Sequence, residues 1–224
     1  MGKGVYFSLG TVGAGGLGIG GLISLKSWQS HEKEKSKVIT SIRDKYSTAL
    51  LNTKSDDTLW EKKYEALGTY SPQNNILRNA SSKKKGNNPN KKEIQKLLKS
   101  GCEEIYSSDS DNSHNFEDFK TLCSKTNENA SKAGKSWISD ATSENGTNKW
   151  DSALALLKSH DISAKWALDN TLSSLKHEIQ RDQSTFTQEK RDKLKGWCDS
   201  NRTRIFKGKE SPEFKSQEDF CKAT

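Results

Sequence analysis

One order of residues occurs twice along this chain, and it restricts the fold more than any other feature. The first occurrence runs from Trp60 through Leu98-Lys-Ser-Gly-Cys102 and Phe119 to Cys123. The second runs from Trp150 through Leu194-Lys-Gly-Trp-Cys198 and Phe220 to Cys221. The tryptophan, the Leu-Lys-x-x-Cys segment and the closing cysteine are displaced by 90 to 98 residues. Agreement in residue type, order and spacing reads as a tandem duplication, and repeats of this length suggest two packed modules. On this reading residues 56–130 form helical module 1 and residues 131–224 form helical module 2. Trp60 and Trp150, with Phe119 and Phe220, are the repeat anchors.

Each module holds two cysteines. The 20 and 22 residues between them suit neither a CxxC redox pair nor a zinc ribbon, and His31, His114, His160 and His177 add no ligand spacing. An even count divided between two repeats fits one disulfide per module, Cys102 with Cys123 and Cys198 with Cys221. Closing a loop of that size adds about 3 kcal/mol, which weighs heavily where only 30% of residues are apolar. Four buried, reduced thiols in a cytosolic protein are the alternative. Oxidation would place the modules outside a membrane.

Twelve of the apolar residues lie in the first 25 positions, so the remainder is poorer still in core-forming side chains. Charged residues make up 29% and mean hydropathy is −0.93. Such a chain does not supply the near-continuous Val/Ile/Leu runs that a wide parallel sheet buries. Its six Trp, seven Phe and five Tyr can instead anchor thin helical packing. Asn90-x-x-Glu93 has the form of a capping box ahead of Ile94, Leu97, Leu98 and Ile105. Trp150, Leu154 and Leu157, then Ile162, Trp166, Leu168, Leu172, Leu175 and Ile179, predict two helices broken near residues 159–161. A basic helix is expected between Phe186 and Phe206, and Ser211-Pro212 opens a short helix through Phe220. Residues 81–92, 107–115 and 139–148 read as polar loops. With no sustained period-2 alternation, the soluble part is expected to be all-α.

Residues 4–25 carry no charge and lie between Lys3 and Lys26. A helix of that length matches the ~30 Å hydrocarbon core of a bilayer. Eight glycines lower its propensity, yet glycine is tolerated in membrane spans. Residues 1–27 are therefore expected to form a hydrophobic anchor contacting membrane lipid, with a signal peptide as the competing reading, and residues 28–55 a charged helical stalk. The full fold expectation is an N-terminal transmembrane helix followed by two tandem related helical modules. Gly13, Gly15 and Gly18 match G-x-G-x-x-G, but no strand-forming run follows to complete a dinucleotide site. Counting Lys and Arg alone keeps the carboxyl-terminal part cytoplasmic, whereas long domains translocate regardless of such charges.

Motifs for chemistry fail in their details. Asp109-x-Asp111-x-Ser113 begins like a calcium loop, but His114 stands where glycine is needed and Lys120 where a bidentate Glu belongs. Gly134-Lys135-Ser136 ends like a phosphate-binding loop, but Asn129 replaces its first glycine. No nucleophile sits beside a recognisable base, so no catalytic, cofactor-binding or metal residue is assigned and no cofactor is expected. Lys83, Lys84, Lys85, Lys91 and Lys92, and the basic run from Lys190 to Lys209, could contact phosphates in this +8 chain. No nucleic-acid recognition motif accompanies them, which favours a solvated basic face or contact with anionic membrane or host surfaces.

The glycine-rich start over residues 1–25, the Leu98-Lys-Ser-Gly-Cys102 and Leu194-Lys-Gly-Trp-Cys198 segments and the terminal Phe220-Cys221 resemble uncharacterised paralogous proteins of hemotropic mycoplasmas. That resemblance covers most of the chain in style and rests on composition. It implies a membrane-associated, surface-displayed protein of a wall-less bacterium living on red cells, in a family thought to vary the antigenic surface or contact the host cell. The leading expectation is thus a non-enzymatic, single-pass membrane protein with an extracellular C-terminal domain, serving host-cell contact or antigenic variation. The alternative is a cytoplasmic-facing, membrane-tethered scaffold or nucleic-acid-binding protein that uses its basic loops.

Overall fold

The computed structural model of the protein describes residues 40–111, 113–143, 148–182 and 186–223. The expected anchor and the first part of the expected stalk lie outside the described residues. Among the described residues no helix is long and apolar enough to cross a membrane. The chain is mostly helical, and Val38–Thr224 forms one compact unit.

Its first half begins with α1 (Ile42–Lys45) and a 3-10 turn (Ser47–Ala49). Helices α2 (Asp57–Leu67), α3 (Asn75–Lys85), α4 (Lys91–Tyr106) and α5 (Ser113–Asp118) follow, the last running into a π-helical turn, Phe119–Cys123. The second half opens with α6 (Asn127–Ala130) and β1 (Ser136–Trp137). Helices α7 (Lys149–Ser159), α8 (Asn170–Arg181), α9 (Gln188–Arg202) and α10 (Pro212–Phe220) lead to β2 (Lys222–Ala223), which pairs antiparallel with β1.

The abundant Asn, Asp, Ser and Thr set where these helices start. Side chains of Asn74, Asn90, Asn148, Asp169, Thr187 and Ser211 accept hydrogen bonds from the otherwise unpaired amides of the first turns of α3, α4, α7, α8, α9 and α10. Each half then buries its own core. Trp60, Leu67, Leu77, Ile94, Leu98 and Phe119 lie in the first, and Trp150, Leu157, Leu172, Ile179, Leu194 and Phe220 in the second. In both, the tryptophan indole donates to a carbonyl of the preceding segment at 2.9 Å, Trp60 to Asn52 and Trp150 to Asp140.

Both disulfides are formed. Cys102 of α4 joins Cys123 with a Cα separation of 5.3 Å, and Cys198 of α9 joins Cys221 at 5.6 Å, all four residues being buried. Beyond each closing cysteine the chain pairs with the segment that opens its half: Ser124 bridges to Leu50, and Lys222 pairs with Trp137. The loops after α4 and α9 also bridge back, Asp109 to Ser41 and Ile205 to Thr126.

These pairings revise several expectations. Residues 41–51 are not stalk: Ile42, Ala49 and Leu51 are buried in the first core, and this segment holds the place that residues 126–138 hold in the second half. The expected loop over 81–92 is helical as far as Lys85, because Ala80 and Ser81 face inward and the Ser81 hydroxyl donates to the Leu67 carbonyl. Ile162, Trp166 and Leu168 belong to no helix; residues 160–169 form an irregular connection ended by the Asp169 cap, and Ile162 is 62% exposed. Helix α9 stops at Arg202, short of Ile205 and Phe206. Phe119 and Phe220 are both buried, but they stand four residues and one residue before their cysteines, so they are not equivalent positions.

A buried amide cluster ties α6 to α9 and α10 within the second half. Asn127 donates from its side chain to the Asn201 carbonyl at 3.1 Å, Gln217 donates to the Asn127 carbonyl at 3.2 Å, and Asn201 donates to the Gln217 side-chain oxygen at 3.2 Å. Backbone bonds from Asn127 to Arg204 and from Phe206 to Lys125 flank it.

The two glycines of the repeated cysteine segments predict opposite responses. A Cβ on Gly101 would meet Leu77 Cδ2 at 2.6 Å and Cγ at 2.8 Å, whereas nothing lies within 4 Å of one on Gly196. Gly101→Ala is expected to destabilise by about 1–3 kcal/mol through overpacking. Gly196→Ala, in an exposed helix interior, should stabilise by about 0.5–1 kcal/mol. Urea denaturation of the two variants beside the parent checks both signs.

Candidate functional site

The basic runs do not form a free cationic face. Lys83 pairs with Glu93 at 2.7 Å, Lys84 with Glu65 at 3.0 Å and Lys91 with Glu61 at 2.6 Å. Hydrogen bonding from Lys91 holds the Glu61 carboxyl below its ordinary value. Along α9, Arg191 grips Asp151 through two nitrogens at 2.7 and 2.8 Å, Lys190 pairs with Asp182, and Lys193 with Glu178 and Glu189. Further on, Arg202 meets Glu128 and Lys207 meets Glu213. Exposed pairs of this kind add little stability, but they cancel much of the field that a polyanion would follow.

Among the described residues, Lys63 is a buried ammonium with no carboxylate partner. Lys63 of α2 is 8% exposed, and its Nζ donates to the Thr121 carbonyl, in the π-helical turn, at 2.9 Å. Desolvation pushes this ammonium down to about 8. The interaction ties α2 to the turn that carries Cys123.

The second half opens a surface groove of about 290 Å³ between β1, α7 and the end of α10. Ile138 and Ala153 form its floor, and Leu156, 52% exposed, forms an apolar lip. Lys135 and Lys149 stand on its rim, and neither enters an ion pair among the described residues. Lys222 also lines it, but its buried ammonium is held by Ser131, Lys132 and Glu218. The neighbouring depression adds Lys132 and shares Lys135, Asp219 and Lys222. Asp219 lines the groove beside these lysines, so charges of both signs surround its apolar floor. Neither histidine nor cysteine lines the groove, and Ser152 is its one hydroxyl.

The motifs of the sequence resolve into local structure. The Asp109 carboxylate accepts the Asp111 amide at 2.9 Å, closing a turn, and no group of three potential ligands forms a metal site among the described residues. Gly134 has φ of 96° and leads straight into β1, whereas a phosphate-binding loop leads from a strand into a helix. The four cysteines and the anchors Trp60, Trp150, Phe119 and Phe220 are all buried, so they build the modules rather than a ligand surface. Sequence reasoning missed the groove. Its available signal was Leu156, an apolar residue displaced from the Trp150, Leu154 and Leu157 stripe of α7.

Against known proteins the chain stands apart: no family model, curated protein or solved structure matches it.

Lys63 gives the body a distinctive alkaline response. Its folded value near 8 lies below the ordinary 10.5, so its burial costs stability at neutral pH, and that cost disappears as pH rises from about 8 towards 10.5. Tyr70, pushed up to about 12 by burial and by its bond to Asp118, acts in the opposite sense, its contribution being lost as pH climbs from 10 through 12. Stability should therefore rise between pH 8 and 10. Lys63→Met should flatten that rise, as read by urea midpoints at half-unit pH steps.

Proposed function

We propose that the chain is a non-enzymatic surface protein, held in the cell membrane by residues 4–25, that presents two related helical modules outside the cell for host-cell contact or antigenic variation. The modules are products of tandem duplication, and the particular lineage is the paralogous membrane and surface proteins of hemotropic mycoplasmas that the sequence resembles.

One observation carries this reading: each half is closed by a buried disulfide within its own core. Such bonds persist in oxidising surroundings and staple small domains that have little apolar area to bury. The pairing of the lysine runs with Glu61, Glu65 and Glu93 weakens the competing reading of a cytoplasmic nucleic-acid binder. A surface role also suits the division of labour in the sequence. Caps, cysteines and a short set of core residues specify the fold, leaving many exposed positions free to change with small effects on stability.

Intact cells treated with a membrane-impermeant protease, followed by disulfide mapping of the released peptides, test the proposal. Release of fragments with Cys102 linked to Cys123 and Cys198 to Cys221 is the expected result. A protected body with four alkylatable thiols would overturn it in favour of the cytoplasmic tether.

A further inference from the structure

We propose that the connection over residues 160–169 is an acid-released strap, latched by the neutral imidazole of His160 and opened when a solvent proton joins its Nδ1. His160 caps the C-terminal end of α7 and is 2% exposed. Its Nε2 stands 2.8 Å from the Trp166 carbonyl, and a carbonyl only accepts, so Nε2 carries the proton of the neutral ring. Nδ1 is buried and has no hydrogen-bond partner among the described residues. The ring packs on the Trp166 indole, with centroids 5.0 Å apart, and on Phe220 at 5.7 Å. One side chain thus joins the end of α7, the connection and the end of α10.

The first half fastens its equivalent segment by other means. Asp118 and Ser216 each stand five residues before the closing cysteine of their half. The Asp118 carboxylate accepts the Tyr70 hydroxyl at 3.0 Å and the amides of Gln73 and Asn74 at 2.9 and 2.6 Å, so the segment between α2 and α3 is clamped at three points. Ser216 offers a single hydroxyl, which accepts the Trp166 indole at 2.8 Å. A depression of about 180 Å³ remains beside it, lined by Ala167 and Leu168 of the connection, Trp197 of α9 and Pro212 of α10. The second half therefore leans on the bond from His160 to hold its connection down.

Protonation adds a donor and a charge at Nδ1, in surroundings that are mainly cationic. Lys176 of α8 donates its ammonium to the His160 carbonyl, and Lys158 of α7 lies two residues before the ring. Lys165 of the connection and Lys215 of α10 stand over the Trp166 ring at 5.8 and 5.7 Å. The carboxylates nearby are committed. Asp161 accepts the Ser163 amide at 2.9 Å and its hydroxyl at 2.7 Å, and Asp169 accepts the Leu172 amide at 2.9 Å and the Trp197 indole at 2.6 Å. Glu178 of α8 pairs with Lys193, Glu210 ahead of α10 with Lys215, and Glu213 of α10 with Lys207, while Asp219 lines the groove beside α7. A buried charge without a partner is costly, whereas water solvates both ring nitrogens once the connection lifts. The open form therefore takes up the proton more readily, so the fastening is complete at neutral pH and is lost as pH falls through the imidazole range, from about 7 to 5. Release uncovers Trp166 and the Trp197 side of the depression.

Amide hydrogen exchange of the full chain in detergent micelles, corrected for the intrinsic pH dependence of exchange, tests this. Between about pH 7 and pH 5, protection across residues 160–169 should fall by at least about tenfold, while α8 and α9 keep theirs. His160→Gln retains a donor for the Trp166 carbonyl but takes up no proton in this range, so its protection should not change with pH. In the wild-type chain the C2–H resonance of His160 should titrate over the same interval in which protection is lost. Wild-type protection that is constant over this range overturns the proposal, as does an equal loss in His160→Gln. Opening without titration of His160, or loss of protection throughout the second half at once, overturns it as well.

Discussion

Two covalent ties govern this fold. A chain with 30% apolar residues has little hydrophobic area with which to offset the entropy of ordering. A disulfide acts on the other side of that balance by restricting the unfolded ensemble, at about 3 kcal/mol for loops of this size, a large share of the roughly 5–15 kcal/mol of a stable domain. Position matters as much as energy. Cys102 and Cys198 lie in the third long helix of each half, and their partners end the helical stretch that follows. The bond fixes where the chain leaves the core, which is why Ser124 and Lys222 can both pair with the segment that opened their half.

The parts of this fold that were legible in the sequence are those written in residue identity. Cysteine spacing divided by the repeat gave the pairing, and Asn90, Ser211 and Pro212 marked helix starts at the positions observed. Illegible parts depend on partners distant in sequence. Residues 41–51 look like a polar stalk because Ile42, Ala49, Leu50 and Leu51 are diluted by charge; only the pairing of Ser41 with Asp109, 68 residues away, makes them part of the core. The Lys83-Lys84-Lys85 run reads as loop by composition, yet Glu65 and Glu93 on neighbouring helices neutralise two of the lysines where they extend α3. The groove joins three separated stretches, 135–138, 149–156 and 219–223, and no local pattern announces it.

Where α6, α9 and α10 meet in the second half, buried polar groups add a fit that apolar contact alone does not. Asn127, Asn201 and Gln217 are essentially without solvent exposure, and their mutual hydrogen bonds are directional where hydrophobic contact is not. Such a network fixes one relative placement of α6, α9 and α10 at the expense of tolerance, since an amide buried without its partner costs about 1–3 kcal/mol. Asn201 Oδ1 already finds no donor among the described residues, which leaves this junction little margin for further loss.

That same asparagine constrains how the protein can be made. Asn201-Arg-Thr203 spells an acceptor sequence for N-linked glycan, a bulky group suited only to an outer surface. Here the asparagine is 0% exposed, with its amide nitrogen committed to Glu213 and Gln217. A sugar attached before the chain folds would occupy the volume in which α6, α9 and α10 meet. A eukaryotic secretory host that modifies this site would therefore yield chains unable to close their second half, while a reducing cytoplasm would withhold both staples. An oxidising compartment without N-glycosylation meets both demands at once.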